Sequence, residues 1–112
     1  MKSKLLNSLM VAIGLYTVQS PALADDWTVY GQVKAVMYVD DGSLHVWADM
    51  PRLDPGACGG DRYIFPASNP RIKEMYASIL MAYAAGKPLR FYVLGTPCTL
   101  GNPSVRLVEV RG

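Results

Sequence analysis

The sequence is poor in the residues that most often carry chemistry. It holds one histidine, His45, and two cysteines, Cys58 and Cys98. A structural zinc site takes about four closely spaced Cys or His ligands, so no metal centre is expected, and nothing calls for a cofactor. His45 is the one ordinary general base, and none of Ser43, Ser68, Ser78 and Ser104 stands in a nucleophile-elbow context. Asp40 and Asp41 adjoin in a turn with no second carboxylate pair in view. Gly56, Gly59 and Gly60 lack both a P-loop lysine and an immediately following helix. The chain is therefore not expected to be an enzyme.

Long apolar runs are equally scarce. The one candidate, Leu5 to Val18, follows Lys2 and Lys4 and precedes the small-x-small triplet Ala22-Leu23-Ala24. That order predicts a signal peptide over residues 1–24, cleaved before Asp25, and a single domain over residues 25–112. The run is shorter than the roughly 20 residues that span a bilayer, and no second one follows. The mature chain is thus expected in the periplasm or outside the cell, without membrane insertion.

An excess of positive charge is also missing once the leader is set aside. The whole chain carries 11 Lys and Arg against 9 Asp and Glu, but two of the lysines, Lys2 and Lys4, belong to the leader. The remainder is balanced, which removes the electrostatic footprint of a nucleic-acid binder. In an oxidising compartment the two cysteines are expected to pair. Closing a loop of about 40 residues is worth on the order of 4 kcal/mol in the chain-entropy model.

What is present is one clear helix among strands. From Ser68 to Pro88, apolar residues fall at Ile72, Met75, Tyr76, Ile79, Leu80, Tyr83 and Ala84, the spacing of a single helical face. Asn69 and Pro70 suit its start, and Gly86, Lys87 and Pro88 suit its end. Its stripe is expected to bury Ile79 and Leu80. Around it, Trp27–Val39, Leu44–Met50, Arg62–Phe65, Leu89–Leu94 and Val105–Val110 read as strands.

Asp41-Gly42 predicts a two-residue hairpin turn. Val39 would then face Leu44 and Met37 would face Val46, with Ala35 opposite Ala48 and Val33 opposite Met50. The other side would pair Tyr38 with His45, Val36 with Trp47 and Lys34 with Asp49. Tyr38, His45 and Trp47 would share an outward face, the combination of aromatic and polar groups used by sugar sites and subunit interfaces.

The element order β-β-β-α-β-β predicts a mainly β protein with one helix, as a five-stranded OB-fold-like barrel with one disulfide. The alternative is an α+β sheet covered by one helix. The segment from Cys58 to Val93, with MYASILMAYAAGKP followed by LRFYV, resembles the binding subunits of subtilase cytotoxin and typhoid toxin, as does Trp27-Thr28. The resemblance implies a secreted OB-fold that assembles as a homo-oligomeric ring and binds glycans. A further Cys of those subunits is absent, and their sugar-contacting Ser and Tyr fall at Tyr30 and Val93, so no binding residue carries over. The expected function is an exported, non-enzymatic module for a glycan or protein partner. The alternative is a monomeric periplasmic protein with a structural or inhibitory role.

Overall fold

The computed structural model describes residues 24–112. The leader expected over residues 1–24 therefore lies, apart from Ala24, outside the described residues. The described part is mainly β with one helix: β1 (Asp26–Trp27), β2 (Val33–Tyr38), β3 (Leu44–Ala48), β4 (Tyr63–Phe65), α1 (Ile72–Ala85), β5 (Leu89–Val93) and β6 (Val105–Val110). None of its helices is long and apolar enough to cross a membrane.

The strands form two three-stranded sheets, β1-β5-β6 and β2-β3-β4, with antiparallel neighbours throughout. The expectation of a mainly β protein with one helix holds, while six strands in two sheets stand where one five-stranded OB-fold-like barrel was expected. The cause lies at Gly31. The segment read as a single strand from Trp27 divides there, its first part running along β5 and its second along β3. Gly31 and Leu89 exchange both backbone hydrogen bonds at 2.9 Å, while the Asp49 carboxylate accepts the next amide, Gln32 N–H. Beyond the ladders, isolated bridges link Gly31 to Leu89 and, in parallel sense, Ile64 to Ser104.

Period-two alternation sends Leu89, Phe91 and Val93 of β5 fully inward, against Leu44 and Val46 of β3 and Phe65 of β4. The Phe91 ring joins the two sheets, with centroids 5.2 Å from Tyr63 and 5.6 Å from Phe65. Helix α1 lies across the end of this core and touches β2 and β6. The Asn69 side chain accepts the Arg71 N–H at 2.9 Å ahead of its first turn. Its last turn closes with Lys87 N–H donating to the Ala82 carbonyl at 2.9 Å, around Gly86.

The buried side of α1 is Ile72, Ile79 and Ala82, flanked by Met75 and Tyr76. Leu80, expected in the core, is 39% exposed. The stripe has seven apolar positions in sequence, but the helix turns its Ala82 side to the sheets and leaves Leu80 and Tyr83 toward solvent. Cys58 and Cys98 are bonded as expected, with Cα atoms 5.6 Å apart. The Asp54 carboxylate orders the first of their loops by accepting the Cys58 and Gly59 amides, each at 2.8 Å.

The β2–β3 hairpin differs from its expected register by one residue. Its loop has three residues, Asp40-Asp41-Gly42: Gly42 N–H donates to Val39 O, and Val39 N–H donates to Ser43 O. Gly42 takes φ 89°, the left-handed position that follows the turn proper and that a side chain would disfavour. Tyr38 thus opposes Leu44, Met37 opposes His45, Val36 opposes Val46 and Ala35 opposes Trp47. A slip of one residue moves the side chains from Ala35 to Tyr38 to the other face, while an irregularity between Val33 and Ala35 keeps Val33, opposite Ala48, in the core.

Candidate binding face

The slip separates the three residues expected to act together. Tyr38 shares the face of Leu44 and meets Tyr76 of α1 edge-on, with ring centroids 4.7 Å apart. His45 and Trp47 stay on the outward face of β3, now beside Met37 and Ala35. The patch of Tyr38, His45 and Trp47 does not exist as drawn from the sequence.

His45 is nevertheless central to its face, as a buried support with 6% exposure. Arg62 Nη1 lies 3.2 Å from Nδ1, and Ser43 Oγ lies 3.1 Å from Nε2. A guanidinium only donates, so Nδ1 accepts and the ring proton sits on Nε2, directed at Ser43 Oγ. The Ser43 hydroxyl donates onward to Asp41 Oδ1 at 2.6 Å, and the same oxygen accepts Ser43 N–H at 2.8 Å. The relay runs Arg62, His45, Ser43, Asp41. In it His45 is a donor to the hydroxyl, the reverse of the relation by which an imidazole activates serine. Its chemistry is to hold Arg62 in place.

Burial lowers the His45 pKa from the ordinary 6.5, and the adjacent Arg62 charge lowers it further. The unfolded chain therefore binds the proton more readily. Stability from neutral His45 is fully present above pH 6.5 and falls as pH drops through 6.5 toward the folded value. The melting temperature is expected to fall between about pH 7.5 and pH 5, with a smaller fall in His45→Gln, which cannot take up the proton. Parallel pH profiles of the two proteins would contradict this assignment.

Arg62 is the upper layer. Its guanidinium lies 4.6 Å above the Trp47 ring centroid, and its Nε donates to Asp61 Oδ1 at 2.7 Å. The other Asp61 oxygen lies 3.5 Å from Trp47 Nε1. The Arg62 hydrogen bond holds the Asp61 carboxyl below its usual range, so the pair is charged at neutral pH. Asp61 keeps 67% of its side chain exposed. Trp47 is half-buried.

The second disulfide loop fixes this pair from below. Buried Asn102 accepts the Asp61 and Arg62 amides on Oδ1, at 3.1 and 3.3 Å, and donates to the Leu100 carbonyl at 2.9 Å. Gly60 permits the approach: a Cβ there would fall 1.8 Å from Asn102 Oδ1, at a backbone φ of 75°.

Asp61, Arg62 and Asn102 were not recognised as site residues from sequence. The signal was the β3–β4 register, which ends with Val46 opposite Tyr63 and leaves Trp47 and Arg62 to stack just beyond it. A second stack occupies the other sheet, where Arg90 lies 4.4 Å over Trp27 and 5.1 Å over Tyr30 while pairing with Glu109 at 2.7 Å. That stack fastens β1, which has only two residues of its own to pair. Trp47 sits on β3, the central strand of its sheet, which needs no such fastening. The chain matches no protein-family model, no curated protein and no solved structure with which it was compared.

Proposed function

We propose that this chain is an exported, non-enzymatic OB-like module that binds a glycan on the face built by Trp47, Arg62 and Asp61. The observation that carries the proposal is the Asp61–Arg62 ion pair set over the indole and locked by Asn102. An indole supplies apolar contact for a sugar ring, and a charged donor and acceptor at its rim suit hydroxyl groups. Fixing such groups in advance lowers the entropy cost of binding.

The OB-like description is supported by two of the isolated bridges: Gly31, between β1 and β2, to Leu89 of β5, and Ile64 of β4 to Ser104 just before β6. Export is supported by the disulfide and by the leader pattern over residues 1–24. The resemblance of Cys58–Val93 to toxin binding subunits supports the OB-like fold more than the ligand, since their sugar-contacting residues are not kept here. Neither nucleic acid nor a membrane belongs to this function.

A glycan array probed with residues 25–112 tests the proposal. Binding of a defined glycan set is expected, lost in Trp47→Ala and in Arg62→Ala. Trp47→Ala should cost about 1–2 kcal/mol, for a half-buried aromatic with one cation–π partner, and leave the domain folded. An array with no hits would set the glycan aside. Capture of a protein partner that Trp47→Ala abolishes would make the face a protein interface instead.

A further inference from the structure

A second site lies away from the Trp47 face, where the turn before α1 meets β6. It is a cavity of about 390 Å³, within the ~300–1,000 Å³ range of small-ligand sites. Met75, Leu94, Val105 and Leu107 supply apolar walls, with Pro66 and Pro70 beside them, and the cavity is open to solvent. The charged residues that line it are both arginines, Arg71 and Arg106, and no carboxylate lines it.

The two arginines are available in different degrees. Arg71 meets Glu74 at 3.4 Å in a pair exposed on both sides, which costs little to exchange. Arg106 has no ion-pair partner among the described residues. The wall between them is fixed. Asn69 donates from Nδ2 to the Arg106 carbonyl at 3.3 Å and accepts the Arg71 N–H on Oδ1. Its side chain thus ties the entrance of α1 to β6 and holds the cavity open between them.

We propose that this cavity binds a small amphipathic anion, with its apolar body against Met75, Leu94 and Leu107 and its acidic group between Arg71 and Arg106. Charge complementarity selects this class. A neutral apolar molecule would gain nothing from Arg106, which has no ion-pair partner among the described residues, and inorganic phosphate would leave the apolar walls wet. A carboxylate, sulfonate or phosphate ester on a compact apolar body satisfies both halves. The site shares no residue with the glycan face.

The test uses 8-anilinonaphthalene-1-sulfonate as the probe and N-phenyl-1-naphthylamine, which lacks the sulfonate, as the control. The anion is expected to bind the disulfide-bonded protein at one site, with fluorescence enhancement and shifts of the Met75 and Leu107 methyl resonances. Arg71→Gln/Arg106→Gln, both surface changes, should weaken it about tenfold or more, because both charge-assisted contacts go. The neutral amine should bind at least about tenfold more weakly than the sulfonate and ignore the double substitution. Equal affinity of the anion for parent and double variant would overturn the proposal. So would equal binding of the two probes, absence of binding, or methyl shifts confined to Leu80 and Met81 on the exposed side of α1. The methyl shifts are read on the parent protein, so they decide the matter whether or not the double variant folds.

Discussion

Ile79→Ala lowers the stability of the domain by about 2–5 kcal/mol, while Leu80→Ala, one position further on, costs less than about 0.5 kcal/mol. Ile79 is fully buried, between the two sheets and the inner side of α1. Truncating it removes apolar contact and leaves a cavity that the two sheets, fixed by their ladders, fill only in part. Leu80 is 39% exposed and contributes little to that packing. Alanine also suits a helix interior at least as well as leucine. Urea denaturation of both variants reads the contrast directly. Equal losses at the two positions would mean that α1 presents a different side to the sheets.

Reducing the Cys58–Cys98 bond is the other large perturbation, worth about 2–4 kcal/mol. The bond closes a loop with a sequence separation of 40, which encloses β4, α1 and β5. Without it the unfolded chain regains that freedom, and a domain of this size melts lower by on the order of 10 °C or more. Its consequence extends to the candidate binding face. Asn102, which holds the Asp61 and Arg62 amides, sits four residues past Cys98, and Gly60, which lets it approach, sits two past Cys58. Cys58→Ser/Cys98→Ser should therefore lose ligand affinity even at a temperature where it stays folded. Thiol labelling of the untreated protein should find no free cysteine. Free thiols under native conditions, or an unchanged melting temperature on reduction, would contradict this.

The parts of the fold that were legible in the sequence are those decided within a few residues. The Gly86-Lys87-Pro88 stop of α1 is local, and so is the alternation of Leu89, Phe91 and Val93. The disulfide was legible for a different reason, since the two cysteines that follow the expected leader have one pairing.

What depends on distant partners was not. Asp-Gly suits a two-residue or a three-residue loop, and the choice moved Tyr38 off the face of His45 and Trp47. The break at Gly31 is set by Leu89, and the rotation of α1 by which side chains the two sheets leave room for. The candidate binding face is the extreme case. Trp47 is half-buried, its stacking partner Arg62 comes from the residue just before β4, and the anchor of that partner from a loop some forty residues on.

In the proposed function ligand meets Trp47 at the rim of its stack with Arg62, and the two tryptophans of the chain make that contact directly measurable. Each gives one indole N–H resonance, and Trp27 lies on the other sheet, beneath Arg90. Titrating labelled protein with the glycan selected on the array should shift the Trp47 indole resonance progressively and leave that of Trp27 in place. A Trp47 resonance that stays fixed while ligand binds, or a shift confined to Trp27, would contradict the account and move the site to the other sheet.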